Sequence, residues 1–145
     1  MQDQKDLQLQ IQNLNLLQQQ LEVLQGQLQI VDSSLQLVKS AKDTIEGFTE
    51  IKAGDEIVVP IGGMAFIKAN IIDPDKIMIY LGANVVIEKN VKESLEYLNT
   101  LIERHNKQRE ALVTQYERMS AQVRVLTPVV QEKLNQMQNP PGSQS

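Results

Sequence analysis

The chain has 145 residues, of which 41% are hydrophobic but only five are aromatic, and its net charge is -4. It has no Cys and a single His, which excludes disulfides, thiolate zinc sites, a Cys nucleophile and any site that needs two histidines. The acidic balance argues against nucleic-acid binding through phosphate contacts, no apolar run approaches the roughly 20 residues of a membrane span, and the leading Met-Gln-Asp-Gln-Lys-Asp is no secretory signal, so a soluble cytoplasmic protein with no membrane or nucleic-acid partner is expected.

The composition is uneven along the chain. Of 19 Gln, 12 fall in the first 40 residues, whereas five of the seven Gly lie between Gly47 and Gly82. Residues 3–45 contain no Pro and one Gly, Gly26. Leu7, Leu14, Leu21, Leu28 and Leu35 recur every seven residues, and Leu17, Leu24, Val31, Val38 and Ile45 follow three residues behind. These are the a and d positions of a coiled coil. A helix of that length is roughly 65 Å long, more than a small domain can bury. Leu9, Leu16, Val23, Ile30 and Leu37 form a further heptad line, about 100° round the helix from the d set. A two-stranded seam leaves that line in water. It is covered by a neighbouring subunit or the flank of the partner helix, or else held open for a ligand chain.

From Gly47 to Asn90 the pattern turns to β. Residues 55–61, 64–72, 76–81 and 85–89 read as strands, broken at Gly62-Gly63, Asp73-Pro74-Asp75 and Gly82-Ala83-Asn84. Pro60 suits an edge or a bulge. In the third strand Ile77, Ile79 and Leu81 oppose Met78 and Tyr80, and in the fourth Val85 and Ile87 oppose Val86. Both faces are apolar and want cover. About 44 residues make a marginal core, so the expectation is oligomerisation through these strands, in a barrel built from several chains. The candidate assembly residues are Val58, Ile61, Phe66, Ile71, Ile77, Ile79, Leu81, Val85 and Ile87.

The heptads return over residues 91–137. Leu95, Ile102, Tyr116, Val123, Val130 and Met137 fall on a; Val91, Leu98, Leu112, Met119 and Leu126 fall on d. His105, Arg109 and Lys133 occupy seam slots too, and Gln10 is a polar d residue in the first helix. Seam polar groups cost stability but can fix register. His105 is read as a seam residue reaching solvent at its edge, because no catalytic partner accompanies it. The two helices should pair antiparallel, with paired residue numbers summing to roughly 140, although a one-heptad slip fits nearly as well. Pro128 and Gln10 should soften the tip of this hairpin. The tip nevertheless keeps Leu7, Leu9, Ile11, Leu14, Val125, Val129, Val130, Leu134 and Met137, the candidate ligand-binding residues. The fold class is therefore α+β, a long antiparallel two-helix coiled coil joined by two β-hairpins. The expected division is 1–46 helix, 47–90 hairpin body, 91–138 helix and 139–145 disordered tail.

No catalytic constellation is visible. Gly62-Gly63 is not followed by the Gly-Lys-Ser/Thr of a phosphate loop. Asp73 and Asp75 lack the other ligands of a calcium loop. The short basic stretches at Lys39–Lys42 and Arg104–Lys107 have no interleaved aromatics. A non-enzyme without cofactor or metal is expected. A coiled-coil structural or adaptor protein with one fixed partner is the alternative to a broad-specificity binder.

A long helix, two hairpins and a second long helix, in that order, resemble the prefoldin alpha-subunit family in its archaeal form. The residues that carry the likeness are the Gln-rich leading heptads, Asp55-Glu-Ile-Val-Val-Pro-Ile-Gly62, Lys76-Ile-Met-Ile-Tyr-Leu-Gly82 and Val86-Ile-Glu-Lys89. Asn84-Val85-Val86 departs from the glycine and aromatics more usual there. The resemblance implies a hexamer of two alpha and four beta subunits, whose sheets join in a double β-barrel. The extra hairpin would hold a second alpha subunit. It further implies an ATP-independent chaperone that captures unfolded polypeptides at the tips of its coiled coils and delivers them to a group II chaperonin.

Overall fold

The computed structural model describes residues 2–139. The chain runs as helix α1 (Gln2–Glu46), a short 3-10 turn (Gly47–Glu50), strands β1 (Glu56–Gly62), β2 (Ala65–Asn70), β3 (Ile77–Gly82) and β4 (Val85–Lys89), and helix α2 (Val91–Gln138). The expected tail at 139–145 lies outside the described residues except for Asn139, whose N–H donates to the Asn135 carbonyl. The chain divides into two compact units. Among the described residues, one joins residues 2–33 to residues 107–139, and the other is residues 34–106.

In the first unit α1 and α2 meet along the a and d positions. Leu7, Leu24, Val31 and Val130 are buried there, each contributing about 1.5–3 kcal/mol on leaving water. Three of the polar departures from the heptads find partners across the seam. Arg109 Nε donates to Asp32 Oδ1 at 2.7 Å, and Lys133 Nζ donates to Gln10 Oε1 at 3.0 Å. Both pairs fit the register in which residue numbers sum to roughly 140, and neither fits the one-heptad slip.

At the tip both helices continue past Gln10 and Pro128, and Leu7 and Val130 keep only 5% and 4% of their surface exposed. Pro128 stands on the outer, exposed side of α2, so its missing N–H does not disturb the seam. Beside it, Thr127 Oγ1 donates to the Val123 carbonyl at 2.6 Å. Gly26 is a different irregularity. A helix-interior glycine costs about 1 kcal/mol against alanine, yet a Cβ at this position would meet nothing within 4 Å.

The second unit is built round Ile45, Ile77, Ile79 and Leu98, with Val38, Phe48, Ile87, Val91, Leu95 and Leu101 packed against them. Residues from both helices and from the second hairpin thus share one core. His105 donates from Nδ1 to the Leu101 carbonyl at 2.7 Å and is half-buried, as a seam-edge residue should be. Ser94 is fully buried, and among the described residues its Oγ has no hydrogen-bond partner, a cost of about 1–3 kcal/mol.

Each hairpin is its own antiparallel pair, β1 with β2 and β3 with β4. Both carry a register shift just before the turn, between Pro60 and Gly62 and between Tyr80 and Gly82. Ile61 and Leu81 are the extra residues of these bulges. The second turn places Ala83 and Asn84 at φ 50° and 61°. Left-handed backbone at both central residues is what a two-residue type I′ hairpin requires. The aspartates that flank Pro74 have structural partners. Asp73 Oδ1 accepts the Asp75 N–H, and Asp75 Oδ1 accepts the Val91 N–H at the start of α2. Asn90 caps the same helix, its Oδ1 accepting the Glu93 N–H at 2.7 Å.

Candidate functional site

Two apolar surfaces stand open, one in each unit. The first is a groove of about 740 Å³ between α1 and α2. Leu16 and Leu17 form one wall, and Val125, Leu126 and Val129 form the other. Its remaining lining is Gln10, Asn13, Ala121 and Gln122, so no charged residue touches it. The heptad pattern explains the opening. Leu17 and Leu126 sit on d and close the floor, while Leu16 and Val125 sit on c and form the rims. Val125 is 72% exposed. Such a trough can take up aliphatic or aromatic side chains by burying area, without selecting charge.

The nine candidate tip residues therefore separate. Val125 and Val129 line the groove. Leu9, Leu134 and Met137 are exposed nearby along the same helices, and Met137 and Leu7 border a smaller, more polar opening with Asp3, Lys133 and Gln136. Ile11 and Leu14 are half-buried. Leu7 and Val130 are buried in the seam, and of the two only Leu7 reaches the edge of that smaller opening. Leu16 and Leu17 stand outside that set of nine, although two adjacent leucines at c and d are the signal that a wall and a floor meet there.

The line Leu9, Leu16, Val23 and Ile30 is exposed along the first unit, and Leu37 is exposed in the second. From Leu7 to Val38 the helix carries two charged residues, Glu22 and Asp32, and Asp32 is paired to Arg109.

The second open surface belongs to the hairpins. Val58, Ile61 and Phe66 of the first hairpin are exposed, and Ile71 just beyond β2 is half-buried. In the second hairpin Ile77 and Ile79 are buried and Ile87 packs on the same core, so these three are held by the chain's own helices. Leu81 and Val85 are exposed at the bulge and turn. The outward face is Met78, Tyr80 and Val86, all exposed and all outside the candidate assembly set. Alternation had shown that this face is apolar. It could not show which face the helices would cover. Among the described residues, no group of His, Asp and Glu is placed to hold a metal ion, and no helix is long and apolar enough to cross a membrane.

The prefoldin-subunit family model matches residues 10–136, which takes in both helices and both hairpins. The chain belongs to the prefoldin family. It is 36% identical over 96 residues to prefoldin subunit alpha of Methanopyrus kandleri, covering 66% of this chain and 61% of that one. It is 32% identical over 79 residues to prefoldin subunit alpha of Methanococcus vannielii, covering 54% of each. The chain thus spans between half and two thirds of the length of these two relatives. Two solved prefoldin structures show the same fold. One is filamentous PFD from Methanocaldococcus jannaschii, with a TM-score of 0.69, 20% identity and coverage of 79% of this chain and 95% of the other. The other is the prefoldin beta subunit from Thermococcus strain KS-1, with a TM-score of 0.62, 20% identity and coverage of 94% and 95%. The Asn84 turn, where this sequence departs from the prefoldin pattern, still closes a two-residue hairpin.

Proposed function

We propose that this chain is the alpha-type subunit of an ATP-independent cytoplasmic chaperone that captures non-native polypeptides. The observation that carries this reading is the open, uncharged groove between α1 and α2, on a chain of the prefoldin family. Exposed hydrophobes of a non-native chain would leave water there, at about 25 cal/mol for each Å² buried. One such groove binds weakly, and several grooves in one complex bind by avidity. The hairpins would supply the assembly. Their outward apolar residues, Val58, Ile61, Phe66, Met78, Tyr80 and Val86, offer the surface for beta subunits and for a second copy of this chain, in the ratio of four to two. The captured polypeptide would pass to a group II chaperonin.

The test uses the complex assembled with beta subunits. It should suppress aggregation of several unrelated denatured proteins. Leu16→Gln with Val125→Gln should lower its apparent affinity for them about tenfold while the assembly stays intact. Suppression of one protein alone would favour the fixed-partner adaptor, and unchanged suppression in the double variant would remove the groove from the mechanism.

A further inference from the structure

The groove does not explain the whole exposed apolar surface of the first unit. Leu9, Leu16, Val23 and Ile30 continue past it along α1. Only Leu16 belongs to both the line and the groove. The four residues repeat at about 10.5 Å, seven residues of helical rise. Beyond Lys5 and Asp6, which lie one turn before Leu9, their neighbours one turn away from Gln12 to Ser34 are amides, hydroxyls and a glycine, with no charge. Gly26 stands between Val23 and Ile30, and the chain's own packing leaves its Cβ position empty.

We infer that this line is a docking seam for helix-forming segments of the captured polypeptide, which deepens the proposed function and rests on it. Three features select a helix over an extended strand. A helical segment presents its own apolar residues at the same seven-residue pitch, so its side chains interdigitate with the line. An extended segment repeats every two residues, about 6.8 Å, and falls out of step. The middle of α1 also offers no unpaired backbone group, so a strand laid on it would lose water from its N–H and C=O groups with no replacement. A helical segment satisfies those groups internally. The glycine is where its backbone comes closest. The uncharged border sets the chemistry of the partner, because charged residues flanking a client's apolar face would lose hydration there and gain no counter-charge. Continuity at Leu16 makes the client the occupant, since one segment can lie along the line and enter the groove.

The experiment measures fluorescence anisotropy of two labelled 21-residue peptides with the assembled complex. Both contain the same six leucines with the same glutamines and serines. One places the leucines at the a and d positions of three heptads, and the other places them at alternate positions of a central twelve-residue stretch. The heptad peptide should bind about tenfold tighter. Val23→Gln and Gly26→Gln should each reduce that preference to about threefold or less. The glycine variant should at the same time keep or raise the melting temperature, because glutamine is the better helix former and has room. Equal binding of the two peptides overturns the inference. So does an undiminished preference in Gly26→Gln. If the peptides bind alike while denatured proteins are still protected from aggregation, the chaperone reading survives and the helix preference does not. If neither peptide binds and aggregation proceeds, both fall. A doubling of native mass that Val23→Gln abolishes would assign the line to a second copy of this chain and overturn the client assignment.

Discussion

Asp32 and Arg109 are held 2.7 Å apart, but both side chains are about half exposed. A pair so placed contributes at most about 1 kcal/mol, so its weight lies in register more than in stability. Gln10 and Lys133 repeat the device nearer the tip. Exchanging the first pair, Asp32→Arg with Arg109→Asp, should leave the unfolding free energy within about 0.5 kcal/mol of the unaltered chain, whereas either change alone should cost about 0.5–1 kcal/mol. Thermal unfolding of all three variants tests this, and a double variant no better than the worse single one would contradict the pairing. The sequence marked Gln10, Arg109 and Lys133 as departures from the heptads, because each breaks the pattern of its own helix. That Lys133 meets Gln10, and Arg109 meets Asp32, across the seam is a property of the register, which two repeating patterns leave ambiguous by one heptad.

At the scale of elements, the helices, the four strands and the breaks between them were legible within a residue or two, since heptads, β-branched runs and glycine turns are local signals. The destination of the faces was not. The second hairpin is apolar on both sides, and only the helix ends, through Ile45 and Leu98, decide that Ile77 and Ile79 turn inward. Two substitutions at adjacent positions separate the faces. Ile79→Asp should destabilise the chain itself by about 3–5 kcal/mol, since it places an unpaired charge in its core. Tyr80→Asp lies on the open face. It should leave the circular dichroism of the chain unchanged and reduce assembly with beta subunits by at least about tenfold, read by native mass measurement. A Tyr80→Asp chain that assembles normally would show that this face is not the joint. The tip follows the same logic. Pro128 and Gln10 signal a weak helix end, yet both helices run past them and bury Leu7 and Val130 in the seam.

At the scale of the whole molecule, the two units carry different open surfaces. Residues 34–106 present apolar hairpin faces, and the other unit presents an uncharged groove with an apolar line beside it. Under the proposed function the first would join subunits and the second would capture reversibly. The low charge of α1 between Leu7 and Val38, the scarcity of aromatics and the absence of Cys would suit the proposed binding by aliphatic area alone. Placing a photoreactive benzoylphenylalanine at Val125, and separately at exposed Glu117 outside the groove, tests capture directly. The assembled complex is mixed with a denatured protein, irradiated and analysed for covalent adducts. Val125 should yield adducts with the denatured protein and none with the same protein folded, and Glu117 should yield few. Equal adduct formation at both positions, or none at Val125 while aggregation is still suppressed, would contradict capture by the groove.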